Sequence, residues 1–305
     1  MSLSTIVTDR STDGGRSLPL RPPEAPYLGV GIGLRPRHYA EIAACRGAGA
    51  DFFEAISENY MLRGGRPLRI LHEVRELAPL VLHGVSLDLG ASDPLDAKYL
   101  RDLAALAERF QPAWLSDHLC WTAHGGAHLH DLLPLPHTEE AVRHVAARIR
   151  EVQDRLGRRI AIENVSSYVR FEHDELGEGE LLAAIAREAD CGILLDLNNL
   201  FVNEHNHGAS AEAAIAALDP ARIFQIHLAG PSEAHALLID THDHPVRDEV
   251  WALYERTIAR LGPVSTLIEW DAEIPPWERV VAEAARAREI VERLWPADVR
   301  ARAAA

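Results

Sequence analysis

The sequence lacks several features that define large protein classes. Its 305 residues include only three cysteines, at positions 45, 120 and 191, and these form no C-x-x-C pair. A disulfide scaffold is therefore not expected, whereas a reducing compartment such as the cytoplasm is. Every apolar run falls short of the roughly 18–20 residues that cross a membrane. No G-x-S-x-G elbow or P-loop occurs, so serine-hydrolase and nucleotide-triphosphatase functions have no support.

Positive charge is also scarce, with 31 basic against 46 acidic residues and a formal net charge of −15. A surface of this sign repels phosphate backbones, so no nucleic-acid partner is expected. The basic residues near the first two predicted strand ends are interpreted as solvated loop charges, with recognition of an acidic peptide as the alternative; they are Arg35, Arg37, Arg63, Arg66 and Arg69. Residues 1–26 contain no apolar signal-peptide core and are predicted to be a flexible leader.

Short apolar segments alternate with segments of helical period along the rest of the chain. The predicted strands cover residues 28–33, 51–56, 80–83, 113–119, 159–165, 192–197, 223–228 and 265–270. The predicted helices cover residues 36–47, 67–77, 94–110, 138–156, 178–189, 211–218, 245–261 and 276–294. Eight such units predict a single α/β domain, a (β/α)8 barrel of the TIM type over residues 27–296, followed by a C-terminal tail at 297–305. An open doubly wound sheet is the alternative, but no G-x-G-x-x-G opens the first helix.

Metal-binding residue types occur at or just after the predicted strand ends, and this is the most informative pattern in the chain. They are His83, His118, Glu163, Asp196, His227, Asp240, His242 and Glu269, with Asn199 as a weaker ninth. The ends of parallel strands converge on one face of a closed barrel, so these side chains are expected to meet in one pocket. Lys and Arg are absent from these strand ends, which leaves metal ions as the natural counter-charge for the carboxylates.

The types of ligand narrow the choice of metal ion. Nine donors exceed what one ion needs, so a multinuclear site is predicted. Imidazole and carboxylate ligands without thiolate suit iron, manganese or zinc. Glu163 is the candidate bridging carboxylate, whereas Asn199 is either a neutral ligand or a hydrogen-bonding neighbour of the ligands. Asp117 and Asn164 adjoin proposed ligands and are expected to support them by hydrogen bonds.

Long loops are predicted after four strands, at residues 119–137, 166–177, 201–210 and 229–244, on the catalytic face of the barrel. His205 and His207 lie in the third of these loops and are candidate catalytic residues that contact substrate or act as acid or base; an ordinary surface loop is the alternative. His124, His128 and His130 lie in the first loop, which is interpreted as a mobile lid, with metal binding by these histidines as the alternative.

Five longer motifs resemble a known family. They are the segments His83–Gly90 (HGVSLDLG), Ser116–Trp121 (SDHLCW), Glu163–Tyr168 (ENVSSY), Leu195–Asn203 (LDLNNLFVN) and Ile239–His244 (IDTHDH). Together they resemble the multinuclear non-heme iron-dependent oxidative enzymes, which include the methanobactin biosynthesis iron enzyme. The resemblance runs from about Tyr27 to the last predicted helix.

The resemblance implies a TIM-like barrel with two or three irons, in mixed Fe(II) and Fe(III) states, and O₂ as co-substrate. It also implies oxidation at a cysteine of a ribosomally made precursor peptide, with a small partner protein that presents the peptide. Carried over by position, the iron ligands would be His83, His118, Glu163, Asp196, His227, Asp240, His242 and Glu269. Their order is also similar to that of endonuclease IV, a barrel relative of xylose isomerase type, where a histidine stands at the position of Asn199.

Three other functions remain open at this point. A metal-dependent phosphoesterase of the endonuclease IV kind would use similar ions to activate water, although the negative charge disfavours it. A sugar isomerase or epimerase would also use metals on such a barrel. These enzymes usually need a lysine or histidine beside the metal as acid or base, and no lysine lies at a predicted strand end. A metal-binding module without catalysis is the third.

Overall fold

The computed structural model describes residues 25–304. The flexible leader predicted for residues 1–26 therefore lies outside the described residues, except for its last two. The strands are β1 Val30–Gly33, β2 Phe53–Ile56, β3 Leu80–Gly84, β4 Leu115–His118, β5 Trp121–His124, β6 Ala127–Leu133, β7 Ala161–Glu163, β8 Gly192–Asp196, β9 Ile223–Leu228, β10 Gly230–Ala234, β11 Leu237–His244 and β12 Ser265–Ile268.

Eight of these strands form one closed parallel barrel in the order β1-β12-β9-β8-β7-β4-β3-β2. The barrel closes where β12 pairs with β1, with Val30 opposite Thr266 and Ile32 opposite Ile268. The predicted (β/α)8 barrel is thereby confirmed. Because all eight strands are parallel, their carboxyl ends lie on one face, and the loops that follow them share that face.

Helices cover the outside of the barrel. They are α1 Tyr39–Cys45, α2 Arg66–Arg75, α3 Ala97–Phe110, α4 Glu139–Leu156, α5 Glu178–Ala189, α6 Leu197–His207, α7 Ala211–Ala217, α8 Asp248–Leu261, α9 Trp277–Leu294 and α10 Ala297–Ala303. In α3 the Asp96 side chain caps the first turn by accepting from Lys98 N and Tyr99 N, which satisfies amides that have no partner within the helix. The buried residues of α3 recur every three or four positions, so that one face packs on the barrel.

The prediction of a loop at residues 201–210 is wrong for residues 201–207, because residues 197–207 form α6. Asp196 caps this helix by accepting from Asn199 N, and Gly208 ends it with a φ of 72°. Asparagine favours turns over helix interiors, which makes the sequence read as a loop. Here Asn199 and Asn203 are buried and donate to backbone carbonyls of residues 164 and 165, so tertiary contacts outweigh their intrinsic preference.

Two other predicted loops contain hairpins. β5 pairs with β6 within residues 119–137, and β10 pairs with β11 within residues 229–244, both antiparallel. The tail predicted at 297–305 contains α10, and Tyr27 N donates to Ala303 O at its end. Across residues 25–304, no helix combines the length and the apolar character that crossing a membrane requires.

Candidate metal centre

The carboxylate of Glu163, the last residue of β7, lies at the centre of the barrel mouth and is 1% exposed. Its Oε2 lies 3.2 Å from His83 Nε2 and 3.5 Å from His118 Nε2, and these two nitrogens are 3.4 Å apart. His83 comes from β3 and His118 from the end of β4. The three ligand atoms lie within 4.8 Å of one another, a spacing that one metal ion could bridge.

The other oxygen of Glu163 faces a second group, formed by the ends of β8, β9 and β12. Glu163 Oε1 lies 3.4 Å from His227 Nδ1. The same nitrogen is 2.9 Å from Glu269 Oε2 and 3.9 Å from Asp196 Oδ2. All four residues are buried and offer ligand atoms within 4.8 Å of one another. One carboxylate thus points its two oxygens into two adjacent groups, which is the geometry of a bridging ligand.

His242 lies on β11, between two pairs of carboxylates. Its Nε2 is 2.6 Å from Asp240 Oδ1 and 3.9 Å from Asp196 Oδ2. Its Nδ1 is 3.2 Å from Glu269 Oε2 and 3.2 Å from Asp271 Oδ2. The backbone of His242 has a φ of 47°, a conformation that non-glycine residues rarely adopt. The fold therefore holds this imidazole beside the second group.

We refer to these residues as the central cluster, which comprises His83, His118, Glu163, Asp196, His227, Asp240, His242 and Glu269. Several of its buried atoms, together with one amide oxygen beside it, have no hydrogen-bond partner; they are Glu163 Oε2, Asp196 Oδ2, Asn199 Oδ1, His227 Nδ1 and both ring nitrogens of His242. Buried polar atoms are normally hydrogen-bonded, and leaving them unpaired is costly. The donor set and its unpaired atoms therefore fit bound metal ions.

The imidazoles of His83 and His118 are oriented from outside the cluster. His83 Nδ1 lies 2.9 Å from Ser116 Oγ, and His118 Nδ1 lies 3.1 Å from the Gly84 carbonyl oxygen. When Nδ1–H donates to such an oxygen, Nε2 carries no proton and is free to bind a metal. Both Nε2 atoms point at Glu163.

Charges within the metal-free cluster are strongly coupled. Burial raises the pKa of Glu163 to about 7, although the neighbouring His227 acts to lower it. Burial alone would lower the pKa values of His227 and His242, but the surrounding carboxylates outweigh burial and raise both well above the ordinary histidine value. Burial lowers the pKa of His83 well below that value. Without metal, two imidazolium ions thus partly compensate the carboxylates.

The family of the chain follows from comparison with known proteins. The model of the RiPP precursor modification enzyme MbnB/TglH/ChrH family matches residues 29–292. The chain belongs to this family. The match confirms the family identified from the five motifs.

Relatives within this family cover most of the chain. A UPF0276 protein of Anaeromyxobacter sp. is 55% identical over 263 residues, which are 86% of this chain and 93% of the relative. A UPF0276 protein of Caulobacter vibrioides is 49% identical over 265 residues, covering 86% of this chain and 95% of the relative.

Solved structures share the fold at low identity. Endonuclease IV from Thermus thermophilus has a TM-score of 0.57 and 15% identity, with 87% of this chain and 99% of that chain covered. D-Psicose 3-epimerase from Clostridium cellulolyticum has a TM-score of 0.54 and 13% identity, with 91% and 95% covered. These similarities confirm the barrel of xylose isomerase and endonuclease IV type for this RiPP precursor modification family member, and they show the fold alone.

The polar neighbours of the cluster are placed to support it. Asn164 holds the backbone of Asp196 from both sides, since its Oδ1 accepts from Asp196 N at 2.9 Å and its Nδ2 donates to Asp196 O at 3.0 Å. Asn199 Nδ2 donates to Asn164 O at 3.0 Å, which leaves the unpaired Asn199 Oδ1 beside the cluster. Asp117 accepts from His118 N at 2.8 Å and from Leu87 N at 3.2 Å. Whether Asn199 is a ligand stays a prediction.

The histidines singled out as candidate catalytic residues lie in the last turn of α6 instead of in a loop. His207 Nε2 is 2.7 Å from Ser167 O, so it joins α6 to the loop after β7. His205 Nε2 is 3.3 Å from Ala236 O at the tip of the β10–β11 hairpin. Their catalytic role stays a prediction, as does the mobile lid formed by His124, His128 and His130, which lie exposed on the β5–β6 hairpin.

Three charged residues beside the cluster were not predicted from the sequence to lie there. Glu54, in the middle of β2, has its Oε2 3.2 Å from His227 Nε2. Asp271 contacts His242, as described above. Arg35, interpreted as a solvated loop charge, is instead 7% exposed; it donates to Trp270 O at 2.7 Å and pairs with Asp271 and, at 3.5 Å, Glu269. An arginine therefore does reach the end of β12, contrary to expectation, because its long side chain crosses from the end of β1.

Proposed function

We propose that this protein is a multinuclear, iron-dependent oxidase that uses O₂ to modify cysteine residues of a ribosomally synthesised precursor peptide. A small partner protein would present the peptide to the barrel mouth. The observation that carries the proposal is the carboxylate of Glu163, whose two oxygens face two adjacent groups of buried ligands. Family membership supports the peptide substrate.

The residues that would hold the ions follow from the geometry. His83, His118 and Glu163 would hold one ion, and Glu163, Asp196, His227 and Glu269 a second. A third would lie at His242, where Glu269 and Asp271 offer ligand atoms and Asp240 and Asp196 lie beside the other ring nitrogen; Asn199 is proposed there from the sequence alone. Thiolate-free imidazole and carboxylate ligands suit iron. When bound, iron would supply the one-electron and O₂ chemistry that amino-acid side chains lack.

Exposed apolar side chains support a peptide substrate. Within residues 25–304, the large hydrophobic residues with high exposure are Leu62, Leu129, Tyr168, Val169, Phe171 and Leu237. All six lie in the segments that follow the barrel strands β2, β4, β7 and β9, with Leu129 on β6 and Leu237 on β11, and therefore on the face that carries the central cluster. Exposed apolar residues gathered on one face are typical of a binding surface. A peptide or protein would contact several such loops at once.

The protein's own groups would orient the substrate and shelter the reaction. Tyr168, one of the six exposed apolar residues, connects this surface to the central cluster, because its hydroxyl accepts from Asp240 N at 2.9 Å. Asp240 in turn contacts His242 and accepts from Asn198 Nδ2 at 2.7 Å. Contact between peptide and Tyr168 would thus be transmitted to a proposed metal ligand.

The test uses protein purified anaerobically, loaded with ferrous iron and mixed with each short cysteine-bearing peptide that a search of the neighbouring reading frames identifies. We expect a change in peptide mass that requires O₂ and is located at cysteine, with the rate increased by a neighbouring small protein. Zinc-loaded protein should be inactive. Activity of the zinc form without O₂, or strand cleavage of abasic DNA by the same preparation, would contradict the oxidase and favour the hydrolase.

A further inference from the structure

A cavity of about 120 Å³ lies next to the central cluster, between the loop that follows β7 and the first turns of α5. Its lining includes Asn164, which directly follows Glu163 in the chain, and parts of the segment after β4 and the end of α6. These segments follow barrel strands, so the cavity is on the face that carries the cluster. Val169 and Phe171, two of the six exposed apolar residues, line it as well. The cavity is therefore continuous with the surface that would bind the peptide.

Leucine side chains form much of the wall of this cavity. They are Leu119, Leu135, Leu176, Leu181 and Leu182. Binding pockets typically combine such apolar walls with a small number of polar groups that select the ligand. An apolar cavity of roughly 150 Å³ admits one molecule of the size of benzene. This cavity can therefore take a single side chain, but not a longer segment of a peptide.

The carboxyl group of Glu178 lines the same cavity. Asn203 Nδ2 donates to its Oε2 at 3.0 Å, and Asn164 Nδ2 lies 3.5 Å from its Oε1. The backbone fixes how both amides are turned. Asn164 Oδ1 accepts from Asp196 N at 2.9 Å, and Asn203 Oδ1 accepts from Ser167 N at 2.8 Å. Both asparagines therefore present N–H groups to Glu178, an arrangement that suits an ionised carboxylate, which can only accept.

Glu178 has no positively charged partner among residues 25–304, where its side-chain hydrogen bonds come from the two asparagine amides. Burial raises its pKa, and the neighbouring charge of Asp196 acts in the same direction. Of the other charged residues in the lining, Arg170 is exposed and Asp174 accepts from His137 N at 2.7 Å. A carboxylate removed from water is stabilised by a hydrogen-bonded cation. The cavity thus offers a place for a positively charged group.

We propose that this cavity binds a lysine side chain of the substrate peptide, with the ammonium group on Glu178 and the butyl chain against the leucines. Lysine combines an apolar stem with a charged head, which matches apolar walls around one carboxylate. The planar fork of arginine binds best to both carboxylate oxygens at once, and here each oxygen already faces an asparagine amide. The inference rests on the proposed peptide-modifying function and deepens it, because it names a residue type of the substrate.

The first test uses three small probes with chains of the same length. n-Butylamine reproduces the lysine side chain and is cationic at pH 8, whereas 1-butanol is neutral and butyrate is anionic. Burial raises the pKa of Glu178 to about 7, so its carboxyl group is mostly ionised at that pH. The protein as purified, labelled with ¹³C at leucine methyl groups, is titrated with each probe, and the shifts of the Leu181 and Leu182 signals report binding.

We expect n-butylamine to bind the wild type at least about tenfold more tightly than 1-butanol, the gain that is typical of a hydrogen bond to a charged group. Butyrate should bind most weakly of the three. Equal affinities for n-butylamine and 1-butanol would show that the cavity selects apolar groups alone, and this result would overturn the inference. Preferential binding of butyrate, or no binding of n-butylamine, would overturn it as well.

Glu178→Gln keeps the size of the side chain and removes its charge. In this variant n-butylamine should bind no more tightly than 1-butanol. The matched control is Glu188→Gln, an exposed residue farther along α5 that pairs with Arg150 at 3.8 Å and does not line the cavity. The control should keep the wild-type preference, and circular dichroism checks that both variants fold. A preference for n-butylamine that survives in Glu178→Gln would contradict the role of the carboxylate.

Peptide turnover separates this inference from the proposed function. With a peptide that the enzyme modifies, replacement of one lysine by methionine should raise KM about tenfold in the wild type and change it little in Glu178→Gln. Modification of a peptide that contains no lysine, or turnover by a wild type that does not bind n-butylamine, would overturn the inference alone. Selective binding of n-butylamine without modification of any peptide would overturn the proposed function and support the cavity as a site for an alkylammonium group.

Discussion

Arg35 reaches from the end of β1 to the end of β12, where its Nη2 lies 2.5 Å from Asp271 Oδ1. The same nitrogen is 3.5 Å from Glu269 Oε1. The Arg35 side chain is 9% exposed and that of Glu269 6%, whereas that of Asp271 is 45% exposed. This guanidinium is therefore a fixed positive charge beside the proposed second ion, and it orients two acids that contact His242.

Replacement of Arg35 by Met should destabilise the metal-free protein by about 1–3 kcal/mol, because the buried Trp270 carbonyl oxygen loses its donor and Glu269 loses a neighbouring positive charge. Chemical denaturation of metal-free protein measures this. The matched control is Arg143→Met on the surface of α4, where both side chains of the pair with Glu139 are largely exposed. That change should cost less than about 1 kcal/mol. Equal losses in the two variants would contradict the structural role of Arg35.

The barrel could be predicted from sequence because each of its strands carries a local signal. Val81-Leu82-His83 and Ala161-Ile162-Glu163 both show apolar residues that end at a polar one, and closure of eight such units brings the ends together. α6 could not be predicted in the same way. Its asparagines favour turns in isolation, and only burial against the loop after β7 makes them helical.

The three charged residues beside the central cluster that were not predicted show the limit of the local sequence pattern. Asp271 lies two positions after Glu269 in the segment that follows β12, and an acid so close to a predicted ligand is the signal that could have identified it. Glu54 stands in the middle of Phe53–Ile56, where a charged residue reads as surface-facing, and only barrel closure shows that it points inward at His227. The guanidinium of Arg35 lies at the end of β12 although its backbone follows β1, because the side chain is long. The local sequence pattern cannot determine the direction in which such a side chain runs.

Metal binding should release protons. The carboxylates raise the pKa values of His227 and His242 well above the ordinary value, so both imidazoles are protonated near pH 7 in metal-free protein and must lose a proton to bind a cation. We expect release of at least two protons per chain near pH 7, because the Glu163 carboxyl, whose pKa burial raises to about 7, adds to the two imidazoles, and an affinity that rises about 100-fold or more per pH unit. Calorimetry in buffers of different ionisation enthalpy counts the protons. Release of none would contradict protonation of these imidazoles in the metal-free protein.

Replacement of Glu163 by Gln should remove the bridge between the first two groups. We expect loss of at least one metal equivalent and a fall in turnover of about 100-fold or more, since ligand loss should exceed the 10–100-fold typical of outer partners. The metal-free variant should be no less stable than the wild type, because burial already disfavours the Glu163 carboxylate. Elemental analysis measures the metal content, and thermal unfolding measures the stability of the metal-free variant. Glu178→Gln, a carboxylate outside the central cluster, should keep the wild-type metal content.

Glu178 should make stability depend on pH. Burial raises the pKa of Glu178 to about 7, although hydrogen bonds from Asn203 and Asn164 act to lower it. The folded protein therefore binds this proton more tightly than the unfolded chain. Its stabilising effect is complete below about pH 4.5 and is lost as the pH rises through 7. Relative to Glu178→Gln, the wild type should lose about 3 kcal/mol across that window. Parallel pH profiles from urea unfolding would contradict the assignment.

Two replacements of His207 separate a catalytic role from a structural one. His207 Nε2 lies 2.7 Å from Ser167 O, and the next residue, Tyr168, accepts from Asp240 N. Glutamine can donate to the same carbonyl oxygen, whereas alanine cannot. We expect His207→Ala to slow peptide turnover about tenfold, the effect of losing roughly 1–2 kcal/mol of hydrogen bonding that holds the loop. His207→Gln should keep most of the activity, with metal content unchanged in both variants. A comparable loss in both, with a changed pH–rate profile, would instead support the acid–base role predicted from sequence, because glutamine cannot transfer the proton that an imidazole can.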